Sequence, residues 1–265
     1  MYLDNAIKFR DKLQRGQVCL GTGISFTDPT VTEALSGVLD FVWIDMEHNP
    51  LSLETVQAHV MATRGTDTAP LVRVAWNDPV LVKPVLDLGA AGVIIPLIRT
   101  AEEAQRAVAA CRYPPDGIRG FGPRRPSGYG RSGGPELCQA ANAAVLVNVQ
   151  VEHIDAVLNV EAIAAVKGLT SLVIGPNDLA ASMGFTGQPR HPEVLRAIDT
   201  AIGAARRAGL FVGIGSPDDP EILCDWIDRG VHWLSMGGDF SLMLGAATRL
   251  AQRVRANDRR RPEAP

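Results

Sequence analysis

The chain has 265 residues, 46% hydrophobic and 21% charged, with a formal net charge of −3. That length is where one α/β barrel of about 250 residues is a common single-domain solution, and so small a charge gives no long-range field suited to nucleic acid or anionic membranes. No apolar run approaches the ~20 residues that span a bilayer, and Asp4, Lys8, Arg10, Asp11, Lys12 and Arg15 break up any signal-peptide core.

In chain order, short apolar runs alternate with capped helical patterns. Residues 18–23 read as the first strand, followed by a helix opened at Asp28-Pro29. Residues 41–46 and 71–74 are the second and third strands, and Asp78-Pro79 opens the helix after the third. Residues 93–96 form the fourth, and Thr100 with Glu103 makes a capping box. Residues 145–152, 171–175, 211–215 and 232–236 complete the set, with helices opened at His191-Pro192 and Asp219-Pro220. Gly16, Gly89, Gly209 and Gly230 fall where helix C-caps belong. Eight alternations predict a parallel sheet with helices outside, closed as a (β/α)8 TIM barrel and forming one domain over 1–265. The longest irregular stretch, 113–135, is rich in Pro and Gly, and so long a loop in a compact domain is usually functional. Arg259, Arg260 and Arg261 beside Pro262 read as a solvated, frayed tail from about residue 256. Cys19, Cys111, Cys138 and Cys224 show no CxxC spacing and suit a reducing cytoplasm as small buried hydrophobes.

In such barrels chemistry gathers at the C-terminal ends of the strands. Strand two ends Asp45-Met46-Glu47-His48, where His48 is the side chain most able to move a proton near pH 7 and Asp45 and Glu47 could hold its ring. Strand three carries Arg73, a permanent charge that needs an anionic partner. Along strand five Val145, Val147, Val149 and Val151 alternate with Asn148, Gln150 and Glu152, so a period of two turns the valines to the helices and the polar set into the barrel. Strand six ends Ile174-Gly175-Pro176-Asn177-Asp178, a second carboxylate on a turn that starts a helix. Two carboxylates at adjacent strand ends, with positions left for water and substrate, suit a hard divalent cation. The plain alternatives stay open: a solvated Glu152, Asp178 as a helix cap, His48 as a surface side chain, and Arg73 in a structural ion pair.

Five ordered blocks carry a family resemblance: Phe41-Val-Trp-Ile-Asp-Met-Glu-His48, Val72-Arg-Val-Ala-Trp-Asn-Asp-Pro79, Arg112-Tyr-Pro-Pro-Asp-Gly-Ile-Arg-Gly120, Val149-Gln-Val-Glu152 and Ile174-Gly-Pro-Asn-Asp-Leu179. Together they resemble the HpcH/HpaI family of metal-dependent pyruvate aldolases, which includes hydroxy-oxo-dioate aldolases, 2-dehydro-3-deoxyglucarate aldolase and the related macrophomate synthase. The resemblance implies Glu152 and Asp178 as ligands of Mg, Mn or Co. It implies Arg73 as the contact to the oxo acid, with Gln150 beside it and the backbone amides of Asn177 and Asp178 receiving the pyruvate carboxylate. His48 becomes part of the acid/base machinery and Asp45 a supporting acid. The implied reaction is reversible aldol cleavage of 4-hydroxy-2-oxo acids to pyruvate, or a close 2-oxo acid, and an aldehyde through a metal-stabilised enolate. Oxaloacetate decarboxylation is open to the same intermediate.

The resemblance also pairs His48 with Asp87. A helix descending from strand three carries Asp87 away from its own active-site face, which implies a homo-oligomer, a hexamer by resemblance, with Asp87 completing a neighbour's site. The segment 122–131 departs from the family pattern, and Arg124, Arg125 and Tyr129 become candidates for aldehyde choice if it covers the acceptor side. A Schiff-base aldolase would need a lysine at a strand end, whereas Lys8, Lys12, Lys83 and Lys167 all fall in helical patterns. Two other readings remain: a citrate-lyase-β-like enzyme of CoA thioesters, and a non-catalytic phosphate- or sugar-binding barrel using Gly213, Gly215, Gly237 and Gly238.

Overall fold

A computed structural model describes residues 3–257; the basic tail at Arg259–Arg261 lies outside the described residues. The elements run α1 (Asp4–Gln14), β1 (Cys19–Ile24), α2 (Thr30–Leu35), β2 (Phe41–Asp45), α3 (Leu53–Ala62), β3 (Ala69–Arg73), α4 (Pro79–Asp87), β4 (Gly92–Ile95), α5 (Ala101–Cys111) and α6 (Gly134–Ala144). They continue with β5 (Leu146–Val151), α7 (Ile154–Leu158), α8 (Val160–Ala164), β6 (Ser171–Ile174), α9 (Pro176–Ser182), α10 (Pro192–Arg207), β7 (Phe211–Ser216), α11 (Pro220–Arg229), β8 (Trp233–Gly238) and α12 (Asp239–Ala256). The strands pair in sequence order, all parallel, and β8 pairs with β1, which closes a (β/α)8 barrel. β3 starts at Ala69, two residues before the expected start, because Pro70 joins the ladder through its carbonyl, which accepts from Ala91 N.

Local chemistry sets the helix ends. Asp78, Asp219 and His191 accept backbone N–H groups in the first turns of α4, α11 and α10, and Thr100 with Glu103 forms the capping box of α5. Gly16, Gly89, Gly209 and Gly230 all take left-handed φ angles at helix ends, a conformation that costs an L side chain energy. Lys8 and Lys12 lie in α1 and Lys83 in α4, while Lys167 sits in the turn after α8, at no strand's C-terminal end.

Two apolar layers form. The larger lies between strands and helices and takes Val147, Val149 and Val151 of the fifth strand's outward face, with Val145 just before the strand. The smaller fills the barrel, where α1 closes the N-terminal mouth with Phe9 against Phe41 and Trp233, ring centroids 5.7 and 6.2 Å away. Large and small residues alternate around this interior. A Cβ on Gly21 would overlap the Phe41 ring, and one on Gly213 would overlap the Trp233 indole, so Gly213 is spoken for by packing rather than by a ligand. Trp233 is pinned there by its Nε1 donating to Ser171 Oγ at 3.1 Å. Gly213→Ala is therefore expected to destabilise the fold by about 1–3 kcal/mol through overpacking. Urea unfolding of the variant beside the parent measures it; an unchanged midpoint would show that the indole can move aside.

Candidate active site

The C-terminal strand ends open into a cleft of about 620 Å3 whose lining includes Asp45, His48, Arg73, Gln150, Glu152 and Asp178. Register explains the first contact. Asp45 and Arg73 are directly paired last residues of β2 and β3, and Arg73 Nε donates to Asp45 Oδ1 at 2.8 Å. Arg73 Nη1 stands 2.9 Å from Glu47 Oε2, and the guanidinium carbon lies 5.3 Å from the centroid of the Trp43 ring. Asp45 Oδ1 also accepts from the amides of Glu47 and His48, at 3.0 and 3.4 Å, and its Oδ2 accepts from Asn49 Nδ2 at 2.7 Å. Burial alone would raise the Asp45 carboxyl, but the hydrogen bond and charge of Arg73 hold it below the usual carboxylate range. Asp45 thus orients Arg73 and the turn that carries His48. In this chain Glu47 is the carboxylate facing the imidazole, at 3.7 Å from His48 Nε2, and the His48 side chain is 63% exposed, open to the cleft mouth.

Glu152 is buried just beyond β5. Its Oε1 accepts from Leu97 N at 2.8 Å and its Oε2 from Gln150 Nε2 at 2.6 Å. Leu97 reaches this position with φ +55°, a left-handed conformation that costs a non-glycine residue of order 1–3 kcal/mol and recurs at functional sites. Opposite, a Cβ on Gly175 would overlap the Glu152 carboxylate, so only glycine at the end of β6 lets the two strands bring Glu152 and the turn holding Asp178 together. Burial, reinforced by the charges of Glu47 and Asp178, pushes the Glu152 carboxyl up to about 7 against the opposing Leu97 and Arg73 contacts.

The residues fit a divalent cation. Asp45, Glu47, Glu152 and Asp178 carry four carboxylates around the single guanidinium of Arg73, and Gln150 Oε1 is buried without a partner. Among the described residues no three His, Cys, Asp or Glu side chains form a complete cage, so a cation on Glu152 and Asp178 would keep positions for water and substrate oxygens.

Asp87 does not line this cleft. It ends α4, where its Oδ1 accepts from Arg119 Nη2 at 2.6 Å. The segment 122–131 does not cover the acceptor side of its own cleft either. Arg125 is buried with Nη1 donating to Leu88 O at the end of α4, while Arg124 and Tyr129 are exposed, and none of the three lines the cleft. Sequence reasoning missed Leu97, whose role no motif announces. It also missed Asp239, whose carboxylate accepts from Ser25 N and Phe26 N at 2.8 and 2.9 Å and ties the start of α12 to the turn after β1. A lone Asp opening a helix after a Gly-Gly turn was the available signal for the second.

A family model described as HpcH/HpaI aldolase/citrate lyase matches residues 25–243. The chain belongs to this family. It is 39% identical over 248 residues to the 4-hydroxy-2-oxo-heptane-1,7-dioate aldolase of Salmonella typhimurium strain LT2, covering 92% of this chain and 93% of that one. An HpcH/HpaI aldolase/citrate lyase family protein from Burkholderia cenocepacia J2315 superposes with a TM-score of 0.87 at 35% identity, covering 93% of this chain and 98% of that one. Macrophomate synthase superposes at 0.84 with 26% identity, covering 97% of this chain and 91% of that one. The HpcH/HpaI protein described here is accordingly a carbon–carbon lyase, of a family generally dependent on a divalent metal. Because Arg73 uses two separate nitrogens on Asp45 and Glu47, Arg73→Lys keeps the charge and loses the fork. The expected loss in kcat/KM for aldol cleavage is about 2 kcal/mol, roughly 30-fold. Steady-state kinetics read it, and an unchanged kcat/KM would mark Arg73 as structural.

Proposed function

We propose that the chain cleaves 4-hydroxy-2-oxo acids reversibly to pyruvate and an aldehyde. The observation that carries this reading is the meeting of a paired carboxylate set, Glu152 and Asp178, with Arg73 and His48 in one cleft. The similarity to a relative named for a hydroxy-oxo-dioate supports the same substrate class.

In the cleavage direction His48 takes the proton of the C4 hydroxyl. The C4 oxygen becomes the aldehyde carbonyl as the C3–C4 bond breaks, and the bonding pair passes to C3 and the 2-oxo oxygen. Arg73, fixed by Asp45 and Glu47, sets positive charge beside that oxygen as it becomes anionic. A proton then returns to C3 and gives the methyl group of pyruvate. Gln150, already donating to Glu152, leaves its carbonyl oxygen for the bound oxo acid and the water around it. The amides of Asn177 and Asp178, in the first turn of α9 behind Pro176, receive the substrate carboxylate. A divalent cation on Glu152 and Asp178, of the Mg, Mn or Co type, supplies Lewis-acid polarisation of the oxo acid when bound.

The same reading makes the protein a homo-oligomer, a hexamer in the family pattern, in which Asp87 serves a neighbour's His48. Its support is the position of Asp87 outside its own cleft and the apolar face of α12. In that helix only Asp239 is buried, and Phe240, Met243, Leu244, Leu250 and Val254 are exposed. A cytoplasmic setting is consistent with four free cysteines and with the absence, among the described residues, of any helix long and apolar enough to cross a membrane.

Two experiments test this. Incubated in D2O with Mg2+ or Mn2+, the protein should place deuterium in the methyl group of pyruvate, and EDTA, Glu152→Gln or Asp178→Asn should each suppress the exchange. Calorimetric Mn2+ titration of the two variants should show weakened binding, and a variant that exchanges fully in excess EDTA overturns the metal assignment. Separately, His48→Ala and Asp87→Ala chains, each inactive alone, should regain activity when refolded together, because some sites then unite an intact His48 with a neighbour's intact Asp87. Verified mixed oligomers without activity would refute the shared site.

A further inference from the structure

A second cavity, of about 420 Å3, lies at the opposite end of the barrel from the cleft, among the segments that lead into β6 and β7. Arg10 of α1 and Arg112, which follows α5, both line it and are half-buried. Each is tied to backbone carbonyls. Arg10 donates to the carbonyls of Ala143, Ala144 and Val145 where α6 ends, and Arg112 Nη2 donates to Gly168 O at 3.1 Å. Neither has a carboxylate within ion-pair distance among the described residues, whereas Arg73, Arg119, Arg190 and Arg229 each hold one. Asp116, the one carboxylate in the cavity lining, accepts from Asn142 Nδ2 at 3.0 Å. Burial, and then the charge of Arg112, push the Arg10 guanidinium below its usual range against the pull of Asp11. Carbonyls carry only partial charge, so two neighbouring guanidiniums stand here without a full counter-charge.

Donors remain for a ligand. Arg10 Nε and Arg112 Nη1 make no hydrogen bond among the described residues. Thr170, buried in the cavity wall, accepts from Val147 N at 3.0 Å, and its own O–H has no acceptor among the described residues. The turn before β6 is shaped around the guanidinium: Gly168 takes φ +102°, and a Cβ on it would stand 3.0 Å from Arg112 Cζ. We propose that this lower cavity binds a small dianion of the phosphate class between Arg10 and Arg112. A phosphate group brings two negative charges and several acceptor oxygens to guanidiniums already held by carbonyls, so little side-chain freedom is lost on binding. Leu169 and Leu210 add an apolar wall beside a short carbon chain, so the site takes inorganic phosphate or the head of a small phosphate ester. A ligand that joins α1, the end of α5 and the start of β6 stabilises the folded barrel by mass action.

Calorimetric titration with sodium phosphate and with glycerol 3-phosphate, at an ionic strength held constant by sodium chloride, should show saturable binding of at least one of them. Tighter binding of glycerol 3-phosphate assigns the site to an ester, and tighter binding of inorganic phosphate assigns it to the free ion. Arg10→Gln and Arg112→Gln should each weaken the binding about 10- to 100-fold, the range expected for one charged hydrogen-bonding contact. Arg73→Gln, which removes the inner charge of the cleft, should leave it unchanged. A measurement free of any variant stands beside these, in case the glutamine variants fail to fold. In the parent protein the ligand should slow amide hydrogen exchange in the turns at 168–170 and 209–211, and not in the turns that carry His48 and Asp178. No saturable binding, parental affinity in folded glutamine variants, or protection confined to the cleft turns would each overturn the inference.

Discussion

The guanidinium of Arg73, set at the end of a barrel strand between Asp45 and Glu47, is the interaction on which the upper face depends. A charge removed from water is tolerated only when it is paired and hydrogen-bonded. Here the pairing also organises the turn after β2, because the oxygen of Asp45 that holds Arg73 accepts the amides of Glu47 and His48 as well. One carboxylate therefore couples the position of the fixed charge to that of His48. Around it the carboxylates outnumber the cation, and the cleft is left with negative charge that suits a divalent ion beside an anionic substrate.

The lower half of the barrel makes that arrangement possible. Phe9, Phe41, Trp43 and Trp233 fill the interior below the polar layer and take the space left by Gly21 and Gly213. A barrel plugged in this way is a rigid base, and the side chains at its upper rim are positioned by register rather than by loops. Gly175 extends the logic to the rim, where the missing Cβ is filled by the Glu152 carboxylate. The left-handed Leu97 belongs to the same construction, since the N–H of that residue donates to Glu152 where the chain turns after β4.

The long segment between α5 and α6 works away from its own cleft. Arg119 binds Asp87 and lies 4.4 Å from the centroid of the Tyr113 ring, and Arg125 binds the carbonyl of Leu88, so the segment is anchored to the end of α4. The cleft within one chain is lined instead by residues at or beyond the ends of β6, β7 and β8, among them Arg190, Ser216 and Phe240.

The sequence by itself determined the eight-fold alternation, because apolar period, proline-led helix starts and left-handed glycines are local properties that survive in a single chain. It also determined which face of β5 is polar, since Gln150 and Glu152 differ from their valine neighbours by one step of a two-residue repeat. Only the tertiary structure decided that Glu47 rather than Asp45 faces His48, and that Arg125 is a buried anchor outside its own chain's cleft. It alone brought Arg190 and Trp226 together, and placed Leu97 against Glu152. Those pairings join residues far apart in the chain, and their distances depend on strand register and helix packing, which no local pattern encodes.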